Sequence, residues 1–421
     1  MRYAFVILAL IPAVGLAGDQ PMAIRNVAVE TLTSTGRVER ATVIIRDGKI
    51  ASIGQDVAIP GNATIIDGAG GTLMPGVIDP YFQVPIAAAT PGDAAPRAPI
   101  GRGRGRGGFQ GGFGRGAGGA FTRVADNFYA HDAAFKPLPR VGLTRLNLVT
   151  TGDGQSAVIR LTPNSPESML ENSDGLAYVS VTNSTDSLDQ VRNRLQSGAR
   201  AAGGNRTGGF AATPSTDSQL WVDVVEGKTP LLAQTTTAAA VLHLLKATEQ
   251  YKNVKLVLFI TGDAIVETLP ELKDRKVRVI VRPNFELLPN TRDRFNPARM
   301  LDEAGIDFTF SLTARPAVGA PGAGRFGAGP NPADAETTPP LSIDQEFPLF
   351  PVAMLVKTGL PRRIALEALS KRPAIMLGIE KSHGTIEGGK SADLLLFSGD
   401  PFDPESRLRR TIIDGRTVYA N

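Results

Sequence analysis

A chain of 421 residues with 42% hydrophobic side chains can bury a real core, which excludes a disordered polymer and allows one large barrel with an attachment or two to three modules. The net charge is only +4, so a pI near 9.3 does not by itself call for a nucleic-acid partner. Cysteine is absent, which excludes disulfides, thiolate metal sites, a cysteine nucleophile and a lipid-modified cysteine.

The chain starts with Met1-Arg2 and the uncharged apolar run Ala4 to Leu16, followed by Ala17. A short positive start, a short apolar run and small residues at Gly15 and Ala17 are the pattern of an export signal over 1–17, cleaved after Ala17. The expectation is a periplasmic or secreted protein with no membrane association after cleavage; a retained N-terminal anchor is the other reading. Residues 18–74 then read as short β-like pieces. Asp47-Gly48 sits between two apolar runs and predicts a hairpin turn.

The middle of the chain changes character. Thr144–Thr151, Thr229–Thr236, Val254–Gly262, Val277–Asn284 and Ile306–Thr313 are brief apolar runs with the look of buried strands. Helical patterns lie between them. One places Val241, Leu244, Leu245 and Thr248 on a single face; another, Leu360–Ile379, predicts a helix that ends before Pro373 and a short second one. Strands alternating with helices predict βα units and a parallel sheet. Three stretches break the rhythm and are expected as mobile loops: Gly101–Gly119, rich in Gly and Arg, Gly203–Ser218, and the Gly/Pro/Ala-rich Val318–Ala335. An Arg-Gly-Gly tract resembles RNA-binding segments. Export argues against nucleic acid and leaves a loop over a binding mouth, or a contact with an anionic surface. The "GDGQS" at Gly152–Ser156 lacks the Gly-x-Ser-x-Gly pattern of a nucleophile elbow and is read as a turn. The end of the chain returns to β-hairpins, with a second Asp-Gly turn at Asp414-Gly415.

These features together resemble the amidohydrolase superfamily, near its imidazolonepropionase-like branch. The resemblance is carried by Asp47-Gly48-Lys49-Ile50, by "LMPGVID" at Leu73–Asp79, by "GGKSADLLLFSGDP" at Gly388–Pro401 and by "IIDGRTVY" at Ile412–Tyr419. It covers nearly the whole mature chain. It implies an α/β fold: a TIM-type (β/α)8 barrel over 75–384 and a small β-sandwich formed by both termini, 18–74 and 385–421. It also implies hydrolysis by one or two divalent metal ions at the barrel mouth. The ligands would be a His-x-His pair on the first strand, a lysine or glutamate in some members, two histidines on middle strands, and an aspartate after the last.

The residues depart from that pattern. The positions of the first pair hold Tyr81 and Gln83, and the strand Thr229–Thr236 offers Gln234 instead of histidine. Ser311, Leu312 and Thr313 stand where the family carries Gly-Ser-Asp. The three histidines, His131, His243 and His383, are scattered without metal spacing, and His243 is expected on an outer helix face. A carboxylate site from Asp79, Asp263 and Glu286 is the remaining route to a cation, and would suit a hard one. The expectation is therefore a divalent metal by family and no metal or catalytic residue by sequence. The ligand-pocket candidates are Tyr81, Gln83, Gln234, Asp263 and Arg282, with Arg282 placed to hold a carboxylate; a polar plug in a closed barrel is the plain alternative. Three functions stay open. One is a non-catalytic homologue that binds a small molecule or assembles with itself or an active amidohydrolase homologue. The second is a hydrolase of carbon–nitrogen bonds in cyclic amides or peptides, with a relocated or metal-free site. The third is a surface or scaffold protein that binds through the Gly/Arg-rich loop.

Overall fold

The computed structural model describes residues 20–83, 121–150, 152–162, 165–182, 184–203, 216–262, 264–289, 291–314 and 347–421. The signal expected at 1–17, the tracts 101–119 and 318–335, Asp263 and most of 203–218 lie outside the described residues. The ends of that last stretch are helical boundaries: Gly203 caps the helix Thr185–Ala202, and Thr216–Ser218 open the helix Thr216–Val225.

The fold is mixed α/β. Both termini build one eight-stranded sheet, in which Leu394–Phe397 runs antiparallel to Thr72–Pro75 with Leu395 opposite Met74. Its own apolar cluster includes Ile24, Val43, Leu73, Leu394 and Ile412. Each expected Asp-Gly turn is a hairpin with both residues at positive φ: 49° and 73° at Asp47-Gly48, 47° and 74° at Asp414-Gly415. The two turns also touch. Gly48 and Gly415 lie back to back, and a Cβ on either would come within 2.9 Å of the other turn's backbone.

Eight central strands follow in chain order: β1 (Val77–Gln83), β2 (Leu143–Val149), β3 (in two pieces, Gly154–Gln155 and Ala157–Arg160), β4 (Ala177–Val181), β5 (Leu231–Thr235), β6 (Leu256–Phe259), β7 (Arg278–Val281) and β8 (Phe308–Phe310). Each pairs with the next. All these pairings are parallel except those of β3, which is antiparallel to both β2 and β4. The turn read at Gly152–Ser156 is thus only a bend at Gly152-Asp153; Gly154-Gln155 is strand, and Ser156 separates the two pieces of β3. The link from β2 is too short for a crossover helix, so β3 must return antiparallel.

Alternate residues of these strands enter two different apolar clusters. Val179, Ala233, Leu258 and Val279 face the helices and pack with Leu188, Leu244 and Ile265. Tyr178, Leu232, Val257 and Ile280 face the other way and meet Ile78, Val149 and Val158. Burial on both faces explains why the strands read as continuous apolar runs. The helix Ala238–Ala247 buries Val241, Leu244 and Leu245 as its periodicity predicts, with Thr248 fully buried just beyond it. The helix expected to end before Pro373 stops earlier, at Leu369. Ser370, at φ −135° and ψ −60°, makes the break. Pro373 lies inside the second helix, Lys371–Leu377, in its first turn, where the missing N–H would have no helical acceptor anyway.

Candidate functional site

The site begins with a proline. Asp79 pairs with Leu146 but Phe82 pairs with Leu148, so β1 carries one extra residue between them. Pro80 cannot donate to a ladder, and a bulge is where a strand tolerates it. Asn147 Nδ2 donates to the Pro80 carbonyl at 3.0 Å and holds the bulge from β2. The bulge aims Tyr81 into the inward-facing cluster, where its ring stacks on Phe259 at 4.4 Å.

Three polar groups meet there. The Tyr81 hydroxyl donates to Gln234 Oε1 at 2.9 Å, the Tyr178 hydroxyl donates to the same oxygen at 2.8 Å, and the two hydroxyls are 3.1 Å apart. Two hydroxyl protons serve three contacts, so the triangle is self-contained but not saturated. Burial pushes the Tyr81 phenol up to about 12 and raises Tyr178 well above the usual range, with the neighbouring Tyr81 adding to it. Both phenols stay neutral.

Asp79 lies directly beneath. It is fully buried, and its carboxylate accepts from Tyr81 N at 3.0 Å, Thr313 N at 2.9 Å and Thr313 Oγ1 at 2.8 Å. Ser311 Oγ donates to the Tyr81 carbonyl at 3.0 Å. Ser311 and Thr313 thus fasten the end of β8 to β1. Burial pushes the Asp79 carboxyl up, against the pull of these donors.

The other candidates lie apart from the triangle. Gln83 is exposed at the end of β1 and donates to the Thr150 carbonyl at 3.3 Å. Arg282 follows β7 and pairs with Glu286 at 3.4 Å, while Asn284 donates to the same carboxylate at 3.1 Å. Arg282 Nε and Asn284 Oδ1 are buried with no hydrogen-bond partner. His131 is exposed beside Tyr129, and His243 is exposed on its helix. Among the described residues no three His, Asp or Glu side chains gather as a metal-binding group. Two neutral phenols, an amide and a carboxylate already engaged by three donors do not fit a divalent ion.

His383 sits elsewhere, in a cluster that the sequence reading missed. Arg145 is 1% exposed and pairs with Glu171 at 2.7 Å, with Asp414 at 3.3 Å, and closely with Asp393. His383 places one ring nitrogen 2.9 Å from Glu171 and the other 3.1 Å from Asp393; Arg160 pairs with Asp414 at 2.6 Å. Burial would raise the Glu171 carboxyl, but the His383 bond and the charges of Arg145 and His383 outweigh it and hold it at about 2. Burial, with Arg145 nearby, lowers His383. This cluster joins β2 to the terminal sheet.

Comparison with known proteins agrees with this layout. Residues 350–419 match the model of the amidohydrolase family. The structure of an amidohydrolase from Thermotoga maritima superposes with a TM-score of 0.70 at 21% identity, over 95% of this chain and all of that one. The C-terminal segment is thus similar to amidohydrolases in sequence, and nearly the whole chain shares their fold. A dihydropyrimidinase from Brevibacillus agri shares the fold at a TM-score of 0.52 and 17% identity, over 95% of each chain. A dihydroorotase from Mycobacterium tuberculosis is 43% identical over 54 residues, which spans only 13% of either chain.

Of the five pocket candidates, Tyr81 and Gln234 are brought together; Gln83 and Arg282 have other partners. Tyr178 was missed. Its signal was present: it lies between Leu176 and Ser180 on the inward side of β4, and a buried tyrosine hydroxyl needs a partner.

Proposed function

We propose that this chain is an exported, non-catalytic amidohydrolase homologue that binds a small carboxylate-bearing ligand at the mouth of a (β/α)8-type barrel. In this reading β1 to β8 form the barrel wall and the terminal sheet is its β-sandwich attachment. One observation carries the proposal: Tyr81, at the first position of the expected first-strand pair, and Gln234, where a middle-strand histidine is expected, close with Tyr178 into a neutral triangle. A closed set of neutral groups removes the electrostatic demand for a cation. Arg282, whose buried Nε lacks a partner, supplies the charge for a carboxylate. Assembly with itself or with an active homologue belongs to the same proposal.

Metal analysis of the purified protein tests it. Stoichiometric zinc, manganese or iron retained through purification would sink it. Titration with small carboxylates should give a saturable component that Arg282→Ala removes.

A second reading is a hydrolase of carbon–nitrogen bonds in cyclic amides or peptides, with a relocated or metal-free site. The relatives named dihydroorotase and dihydropyrimidinase favour it. Turnover in an amide-library screen, abolished by Asp79→Ala or Arg282→Ala, would select it over the first.

A further inference from the structure

A second cavity lies at the opposite end of the central strands. Leu176, Pro230, Lys255 and Arg278 line it, and each stands at the N-terminal edge of β4, β5, β6 or β7, whereas Gln234 and Arg282 stand at C-terminal edges. Its volume is about 220 Å³. The helix Lys371–Leu377 forms part of the wall through Met376 and through Ile375, which is 38% exposed. Val158, Leu176 and Met376 belong to the same inward-facing cluster as Tyr81, so the floor is apolar.

Charge distinguishes this cavity from a packing defect. Lys228, Lys255 and Arg278 line it beside one acid, Asp174, and Asp174 is paired with Arg123 at 2.5 Å. Lys228 has Glu226 at 2.6 Å and Arg278 has Asp307 at 3.3 Å. Lys255 has no ion-pair partner among the described residues. An apolar floor beneath an unpaired ammonium matches a molecule with an apolar tail and an anionic head. The tail gains by leaving water, and the head gains a charge-assisted hydrogen bond.

We propose that this basal cavity binds a small monocarboxylate with an unbranched apolar tail, its head on Lys255 and its tail against Leu176 and Met376. The site is separate from the mouth and stands whether or not the mouth binds anything.

Hexanoate is the probe, with hexylammonium as its charge-reversed control. Saturation-transfer NMR and titration on the whole chain should show saturable binding of hexanoate and none of hexylammonium. Lys255→Glu, an exposed change that leaves the core intact, should weaken hexanoate about fivefold or more. In an Arg282→Ala background, which removes any carboxylate binding at the mouth, hexanoate should still saturate, and Ile375→Trp, which fills the cavity from its rim, should remove what remains. The proposal is overturned if hexanoate does not saturate, if hexylammonium binds as well, or if Lys255→Glu and Ile375→Trp have no effect. Loss of hexanoate binding in Arg282→Ala alone would place the carboxylate at the mouth and also overturn it.

Discussion

Tyr81 is the residue on which the reading of the mouth turns, and its two halves have separate energetic weights. Its hydroxyl is one of two donors on Gln234 Oε1, so Tyr81→Phe leaves the Tyr178 bond in place. The expected cost is about 0.5–1.5 kcal/mol, read as a small drop in urea midpoint. Tyr81→Ala instead removes a ring stacked on Phe259 in a buried cluster and should cost about 3–5 kcal/mol. Comparable losses for the two variants would mean that the triangle, not the packing, holds this end of the molecule. Asp79→Asn tests the staple beneath. An amide can accept on one side only, so its NH2 would face Tyr81 N or the Thr313 donors, at a cost of about 1–3 kcal/mol. Tyr81 was legible in the sequence as a pocket residue, because residue type at a motif position is local information. The Asp79–Thr313 bond was not, because it spans 234 residues and depends on how β8 meets β1.

At the scale of elements, apolar runs located β2 and β5 to β8 or their surroundings, and Asp-Gly located two hairpins. What stayed hidden depended on neighbours. The bulge in β1 shows only in register against β2, and the antiparallel course of β3 shows only once its two partners are known. The break at Ser370 was assigned to Pro373 because proline is the stronger local signal. The two Asp-Gly turns read identically in sequence, and the sequence did not show that they touch. That contact makes a prediction. Gly415→Ala places a Cβ at φ 74° and within 2.9 Å of Gly48 Cα. Left-handed backbone alone costs about 1–2 kcal/mol for a non-glycine residue. The steric contact adds to it, so the urea midpoint should fall by more than that cost implies. Ala at Gly36, also at positive φ but with open space around it, should show the backbone cost alone.

The whole molecule is held at one buried knot. Arg145 on β2 reaches Asp393 and Asp414 of the terminal sheet and Glu171 beyond β3, while His383 bridges two of the same carboxylates. Its folded-state bonds carry a pH dependence of fixed sign. Glu171 is held at about 2 against an ordinary 4.5, so its contribution, about 3 kcal/mol, is present above pH 4.5 and lost as pH falls toward 2. His383 and Asp414 are also lowered, so they weaken the fold on the same, acid side, His383 starting below its ordinary 6.5. Urea midpoints should therefore fall between pH 7 and pH 3, and Glu171→Gln should flatten the lower part of that slope; parallel curves would refute the assignment. Removing the cation is the harsher test. Arg145→Leu leaves three carboxylates around an uncompensated buried space and should cost about 3–5 kcal/mol. Arg145→Lys should not restore it, because one ammonium cannot fork to Glu171, Asp393 and Asp414 at once. Since those partners lie on different sheets, the loss should not be uniform. Amide exchange in the lysine variant should rise first in Leu394–Phe397 and Leu408–Ile413, the strands that Asp393 and Asp414 tie to β2, while β5 and β6 keep their protection. Equal acceleration in all of them would show that the terminal sheet and the central strands unfold as one unit, and that Arg145 stabilises the chain without joining two parts of it.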